Sequence, residues 1–312
     1  MTFRIGNIPI RVLPSFFFMA AVLGMLQPGI EIVAWVAWVA VVLVSVIVHE
    51  LGHAMVGRAF GLEPSVVLHG TGGTTSWTGT RQLSPAQRIA ISLAGPGAGF
   101  VLGGLVWVAD KVARSQSHST GDGSFLDLGP YLVATLLFVN FNWGLINLLP
   151  MLPLDGGNVM AQTLNAVLKG RGERPARVIS IVLAVAAVAV SVAGRSYWPA
   201  FLAVSFVTVN WRALKDLAAA EHDAPLRASL QGAYAALDAK DVARVLALAK
   251  PVALKSQTAL VRAEALHLLA FGFLLDDRLA DADAAIAAMP KGFSPNQALV
   301  DLRQAVARQG AK

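Results

Sequence analysis

The sequence predicts an all-α polytopic membrane protein: six transmembrane helices, a short membrane-associated β-hairpin after the second span, and a C-terminal cytoplasmic α-helical tail. Three observations carry this. The 312 residues are 55% apolar and only 14% charged, against about 45–50% and about 25% in ordinary soluble domains. That excludes a plain soluble globule and a disordered chain. Apolar runs long enough to cross hydrocarbon, for which about 20 residues suffice, recur through residues 1–215 and stop there. The formal charge of +6 also lies wholly in that apolar part, since residues 1–215 hold 14 Lys/Arg and 8 Asp/Glu whereas residues 216–312 hold 11 of each. An excess so placed reads as membrane orientation rather than a nucleic-acid patch, and no nucleic-acid partner is expected. With no Cys in the chain, disulfides, thiolate metal sites and cysteine nucleophiles are excluded.

The expected spans are residues 12–27, 31–57, 86–109, 131–150, 177–194 and 197–211. The first is short and could instead be a cleaved signal peptide, although nothing after it reads as a secreted domain. The third starts at Ser84-Pro85, a helix start signal, and the fourth ends at Pro150. With the N-terminus inside, eleven Lys/Arg flank the spans on the cytoplasmic side and three (Lys111, Arg114, Arg195) on the other. The positive-inside rule favours that orientation: a multi-pass protein of the cell membrane with both termini cytoplasmic. Residues 61–80 contain β-prone pieces, Ser65–Leu68 and Thr74–Thr78, around the turn signal Gly70–Gly73, which predicts a hairpin; the bland alternative is a flexible linker. Residues 216–312 are rich in Ala, Leu and Asp, and two stretches resemble each other, Leu237-Asp238-Ala239-Lys240 and Leu275-Asp276-Asp277-Arg278. That suggests tetratricopeptide-like helical hairpins, with an unrelated small helical bundle as the alternative. The expected division is 1–215, a membrane metal-dependent domain, and 216–312, a cytoplasmic helical tail.

The chemistry centres on His49-Glu50-Leu51-Gly52-His53, inside the second span. Residues four apart share one helix face, about 6 Å apart along the axis, so two imidazoles so placed can reach one Zn²⁺. Glu50 beside them can take a proton from water at the metal. Chance would produce such a motif roughly 0.002 times in a chain of this composition. Ionisable groups inside a span are costly and read as functional; the alternative is a hydrogen-bonded polar cluster joining helices. A catalytic zinc with two histidines lacks one protein ligand. Glu63, Asp110, Asp122, Asp127 and Glu173 lie in expected loops, whereas Asp155 follows the fourth span in Asn147-Leu148-Leu149-Pro150-Met151-Leu152-Pro153-Leu154-Asp155-Gly156-Gly157. His49, His53 and Asp155 would share one depth near the cytoplasmic face, so Asp155 is the expected third ligand, against the alternative of an Asp-Gly turn. In the third span Gly95, Gly99 and Gly103 form a small-residue stripe that lets helix backbones approach closely. It is expected to pack on the second or fourth span.

These two motifs, with Ser92-Leu93-Ala94-Gly95-Pro96 in the third span, resemble the site-2 proteases, intramembrane zinc metalloproteases of peptidase family M50. The resemblance covers roughly residues 1–215. It implies one zinc ion per chain held by His49, His53 and Asp155, with Glu50 as general base. It also implies that Asn147 and Asn142 hold the substrate backbone or support the site. Six spans look like the branch typified by the protease that matures a sporulation sigma factor. Residues 110–130 are too few for an inserted PDZ domain, and the helical tail departs from the paired CBS domains common in that branch. The implied function is hydrolysis of a peptide bond in or near a transmembrane segment of a membrane-bound protein, in regulated intramembrane proteolysis. Expected partners are the bilayer, such a substrate (a transcription-factor regulator is one class) and a cytoplasmic protein for the tail. An extended substrate could pair with the hairpin edge near Gly70, Gly72 and Gly73. The alternative is a non-catalytic membrane scaffold or metal-binding transport component with the same ligands.

Overall fold

The computed structural model describes residues 1–27, 29–79, 81–116 and 128–310. Asp122, Asp127 and His118, and much of the 110–130 connection, lie outside these. The chain divides into two compact units, Met1–Trp211 and Arg212–Lys312.

The first unit begins with a β-hairpin not expected from the sequence, β1 (Thr2–Ile5) and β2 (Ile8–Val12). Gly6 turns it with φ +57°, at the first of two loop positions where glycine is favoured in tight hairpins. Ile8, Ile10 and Val12 alternate into the core, a period-two signal hidden because it runs directly into the apolar helix that follows. β2 pairs in parallel with β3 (Glu63–His69), Ile10 opposite Val66. The expected hairpin continues to β4 (Gly72–Thr78), with Val66 opposite Thr75 and His69 opposite Gly72. The sheet order is β1-β2-β3-β4, so β4 keeps one edge without a strand partner among the described residues. One sheet face buries Ile10, Val66 and Leu68 against Phe16, Ala20 and Ala54. The all-α expectation is therefore corrected to a mostly helical protein with a small four-stranded sheet.

Between β2 and β3 lie α1 (Pro14–Met25) and α2 (Ile32–Ala59). The indole N–H groups of Trp35 and Trp38 on α2 donate to the Ala21 (2.9 Å) and Ala20 (3.0 Å) carbonyls of α1, and Gly24 leaves room for both rings. Then come α3 (Pro85–Gln116) and α4 (Leu128–Leu137), which runs through a π-helical turn, Phe138–Trp143, into α5 (Gly144–Asn147). An amphipathic helix absent from the sequence reading, α6 (Asp155–Val167), follows, and then α7 (Glu173–Ala193) and α8 (Tyr197–Asp238). Among the described residues four helical stretches are long and apolar enough to cross a membrane: Ile32–Ala59, Pro85–Ser115, Leu128–Asn147 and Glu173–Ala193. Their apolar side chains, among them Val36, Val101, Leu105, Val182 and Val190, are largely exposed, as a lipid-facing surface requires. The first expected span is realised as the 12-residue α1, about 18 Å long. The residues expected for the sixth form the start of α8. Glu63, Asp110 and Glu173, expected in loops, lie on β3, on α3 and at the first turn of α7.

The second unit has helices and no strand among its described residues: the end of α8, then α9 (Val242–Lys255), α10 (Ala259–Leu275), α11 (Leu279–Ala287) and α12 (Gln297–Gly310). Its core centres on Val245, Val261, Leu268, Leu274 and Leu299. The two similar stretches form equivalent turns, each with one non-glycine residue at positive φ, Lys240 and Asp277. Their N–H groups donate to Leu237 and Leu274, so Leu237 corresponds to Leu274 rather than Leu275. The fully buried Asp223 accepts from the backbone amides of Gln257 (2.9 Å) and Thr258 (2.8 Å) and from the Thr258 hydroxyl (2.6 Å) at the start of α10. Burial alone would raise the Asp223 carboxyl, but these hydrogen bonds outweigh it and hold the group well below the usual carboxylate range. A depressed carboxyl adds stability above its unfolded value, about 3.9, which is lost as pH falls through the folded one. Asp223→Ala is expected to weaken this unit by about 2–3 kcal/mol at neutral pH, with less further loss on acidification than in the wild type. Hydrogen exchange of the α10 amides at neutral and acidic pH measures both.

Candidate active site

Each of the three metal-ligating candidates is placed by its own local cause. His49 and His53 project from one face of α2, four residues apart, with their Nε2 atoms 3.1 Å from each other. Asp155 is the first residue of α6 and enters from the opposite side: its Oδ2 lies 3.1 Å from His49 Nε2 and its Oδ1 3.4 Å from His53 Nε2. One ligand atom from each lies within 4.8 Å of the other two. Tetrahedral zinc with bonds of about 2.0–2.2 Å places its ligands about 3.3 Å apart, so the donor set fits such an ion. The chemistry agrees. The His53 Nδ1–H donates to the Ile91 carbonyl at 2.7 Å, which leaves the Nε2 lone pair of a neutral ring facing the His49 nitrogen and a carboxylate. A cation between the three would be met by all of them, and a backbone carbonyl on the second ring nitrogen is the usual support of a ligating histidine.

The glycine stripe of α3 makes this approach possible. A Cβ at Gly95 would overlap the His53 imidazole and lie 2.8 Å from His49 Nε2. A Cβ at Gly99 would lie 3.5 Å from Asn140 of the π-helical turn, and one at Gly103 would lie 2.8 Å from the Phe141 ring. On α2 itself, Gly52 is pressed against the Ala94 carbonyl and Ala98. The stripe therefore touches both α2 and the π-helical turn that follows α4, the second and fourth of the six expected spans, with its Gly95 end beside the imidazoles.

Glu50 is buried and turned toward the sheet. The Thr75 hydroxyl of β4 donates to its Oε2 at 2.6 Å, and the backbone of Gly73 packs so closely that a Cβ there would overlap the carboxylate. Glu50, the three metal-ligating candidates, Gly72, Gly73, Thr75 and Asn147 all line one cavity of about 660 Å³. His69, at the end of β3, also lines it and bonds to Thr74 Oγ1 (2.8 Å) and Thr71 Oγ1 (3.0 Å).

Two expected site residues are not brought to this cavity. Asn142 is exposed, and Asn140, two residues away on the opposite side of the helix, is buried instead. Gly70 packs against Met19 and Ser15 of α1. The residues that sequence reasoning missed are Asn140, Ser45 and Thr75. Asn140 donates to Ser45 Oγ at 3.0 Å, one turn before His49, and both are buried. An amide inside an apolar span was the available signal for Asn140; Thr75 carried none, because its role depends on how the hairpin docks.

The family model for peptidase family M50 matches residues 37–117 and 117–193. A zinc metalloprotease of Methanocaldococcus jannaschii is 26% identical over 52% of this chain and 44% of its own. A Synechocystis protein named as a candidate zinc metalloprotease is 36% identical over 37% of this chain and 28% of its own. The chain thus spans less than half the length of these curated relatives. Among solved structures, a site-2 protease from Methanocaldococcus jannaschii superposes with a TM-score of 0.48 at 21% identity, over 69% of this chain and 94% of that one.

Proposed function

The chain belongs to peptidase family M50, and from that premise we propose that it is an intramembrane zinc metalloendopeptidase that cuts a membrane-bound protein in or near its transmembrane segment, in regulated intramembrane proteolysis. The observation that carries this is the meeting of His49, His53 and Asp155 at one point, with Glu50 on the wall of the same cavity. His49, His53 and Asp155 would hold the zinc. Zinc held there supplies Lewis acidity, polarising the scissile carbonyl and lowering the pKa of a water towards about 7. Glu50 takes the proton from the attacking water and passes it to the leaving amine, and the Thr75 hydroxyl holds its carboxylate in place. In this reading the segments 12–27 and 197–211 complete six spans, both termini face the cytoplasm, and the cavity opens near that face, where water reaches it. The helical tail then recruits a cytoplasmic partner.

A helical substrate must first unwind, because its peptide bonds are satisfied within the helix and freed groups in lipid cost several kcal/mol each. The open edge of β4, beside Gly72 and Gly73, can pair with the extended stretch as an added strand. The Asn147 amide in the cavity can satisfy further backbone groups. Substrates with weak helix formers near the cut are therefore expected to be preferred. Two Ala→Gly changes beside the scissile bond lower the unwinding cost by about 2 kcal/mol, which corresponds to roughly a tenfold or greater rise in kcat/KM. Cleavage of matched transmembrane substrates in liposomes measures this, and equal rates would contradict it.

A further inference from the structure

Two buried polar side chains outside the metal group converge on the backbone of a single residue, Leu152, and the proposed reaction uses neither. The connection from α5 to α6, residues 148–154, has no regular structure, and it ends at Asp155. Its inner side is pressed against glycine: a Cβ at Gly156 would overlap the Leu148 carbonyl, and one at Gly157 would overlap the backbone of Met151 and Leu152. On its other side the Leu152 N–H donates to Ser180 Oγ of α7 at 2.9 Å. The Leu152 carbonyl accepts from Asn210 Nδ2 of α8 at 2.7 Å. Ser180 and Asn210 both have no exposed surface.

Each of the two is in turn held by its own helix. The Ser180 hydroxyl donates to the Ala176 carbonyl at 2.8 Å. The Asn210 amide donates also to the Phe206 carbonyl at 2.8 Å, and its oxygen accepts from Arg177 Nη1 at 3.3 Å. Backbone outside a helix is tolerated at membrane depth only where protein or water satisfies it, and here two helices satisfy both backbone polar groups of one residue. The Leu154 N–H donates to the Met151 carbonyl at 2.9 Å, so the short path from Leu152 to Asp155 has little freedom to absorb a shift.

We propose that Ser180 and Asn210 are positioning residues for the third metal ligand: by clamping the Leu152 backbone on both sides of its Cα they fix the Asp155 carboxylate where it meets His49 and His53. This rests on the metal-centre reading given above. It differs from a purely structural role in one measurable respect, since a loosened clamp weakens metal binding in protein that is still folded.

The test is a cobalt(II) titration of the metal-stripped full chain in detergent, followed by visible d–d absorption, with thermal unfolding of the metal-free protein beside it. Asn210→Leu and Ser180→Ala are expected to bind cobalt about 10–100-fold more weakly, the usual cost of losing an outer support of a metal ligand. Ser180→Thr, which keeps the hydroxyl, should recover most of the affinity. Thr135→Val, which removes a buried hydroxyl from α4, should leave affinity unchanged. If Asn210→Leu does not fold, Ser180→Ala decides. Unchanged cobalt affinity in the folded variants, with only a lower Tm, would overturn the proposal. Absence of d–d bands in the wild type would instead overturn the metal-centre reading, and this inference with it.

Discussion

Glu50→Gln is expected to reduce peptide-bond hydrolysis by about 10²–10⁴-fold, the usual contribution of a positioned general base, while the protein still binds one metal ion. The amide is nearly isosteric with the carboxylate and still accepts the Thr75 hydroxyl hydrogen bond through its oxygen, so the packing against Gly73 and β4 persists. What it loses is the capacity to take a proton from water. None of the three metal-ligating candidates contacts the changed atom as a ligand, so metal content should stay at the wild-type level. This result separates the protease reading from a metal-binding scaffold or transport component, which needs no base at position 50. Cleavage assays in liposomes with parallel metal analysis measure both quantities. A Glu50→Gln protein that cleaves at the wild-type rate would remove Glu50 from the mechanism.

The second large effect is expected from the smallest substitution available at Gly95. A methyl group there meets the His53 imidazole, and that ring cannot simply swing away, because its Nδ1–H is tied to the Ile91 carbonyl at 2.7 Å. Either the hydrogen bond breaks or α3 withdraws from α2, and each moves a ligating nitrogen away from Asp155. Gly95→Ala should therefore weaken metal binding at least about 100-fold, the upper end of the range for disturbed ligand support, and abolish detectable cleavage. Gly104→Ala is the natural control, since a Cβ at Gly104 meets nothing within 4 Å and alanine is the better helix former. Equal metal affinity in Gly95→Ala and wild type would mean that the close approach of α3 to the imidazoles has no bearing on the centre.

What could be read from the sequence was local. The face shared by His49 and His53 follows from helical spacing alone, and the β3–β4 turn from its run of glycines. Asp155 needed one further step, the matching of span ends by charge. What could not be read depends on tertiary partners or on small departures from regular geometry. Asn140 and Asn142 lie on opposite sides of their helix, and which of them faces inward depends on how that helix packs, which no propensity scale carries. The β1–β2 hairpin was obscured because Ile8, Ile10 and Val12 lead without a polar break into α1. The helix α6 was missed because Gly156 and Gly157 are poor helix formers; they are there because the preceding loop lies against them. Ser180 and Asn210 carry no local signal, because the backbone they both bond, that of Leu152, is distant in sequence.

One metal ion is expected to be bound jointly by His49, His53 and Asp155. Zinc content by elemental analysis of the purified full chain, wild type beside Asp155→Ala, tests it most directly. One zinc per wild-type chain and little or none in folded Asp155→Ala is the predicted result. A wild-type chain that purifies without zinc and takes none up, or an Asp155→Ala chain that retains zinc one to one, would contradict it.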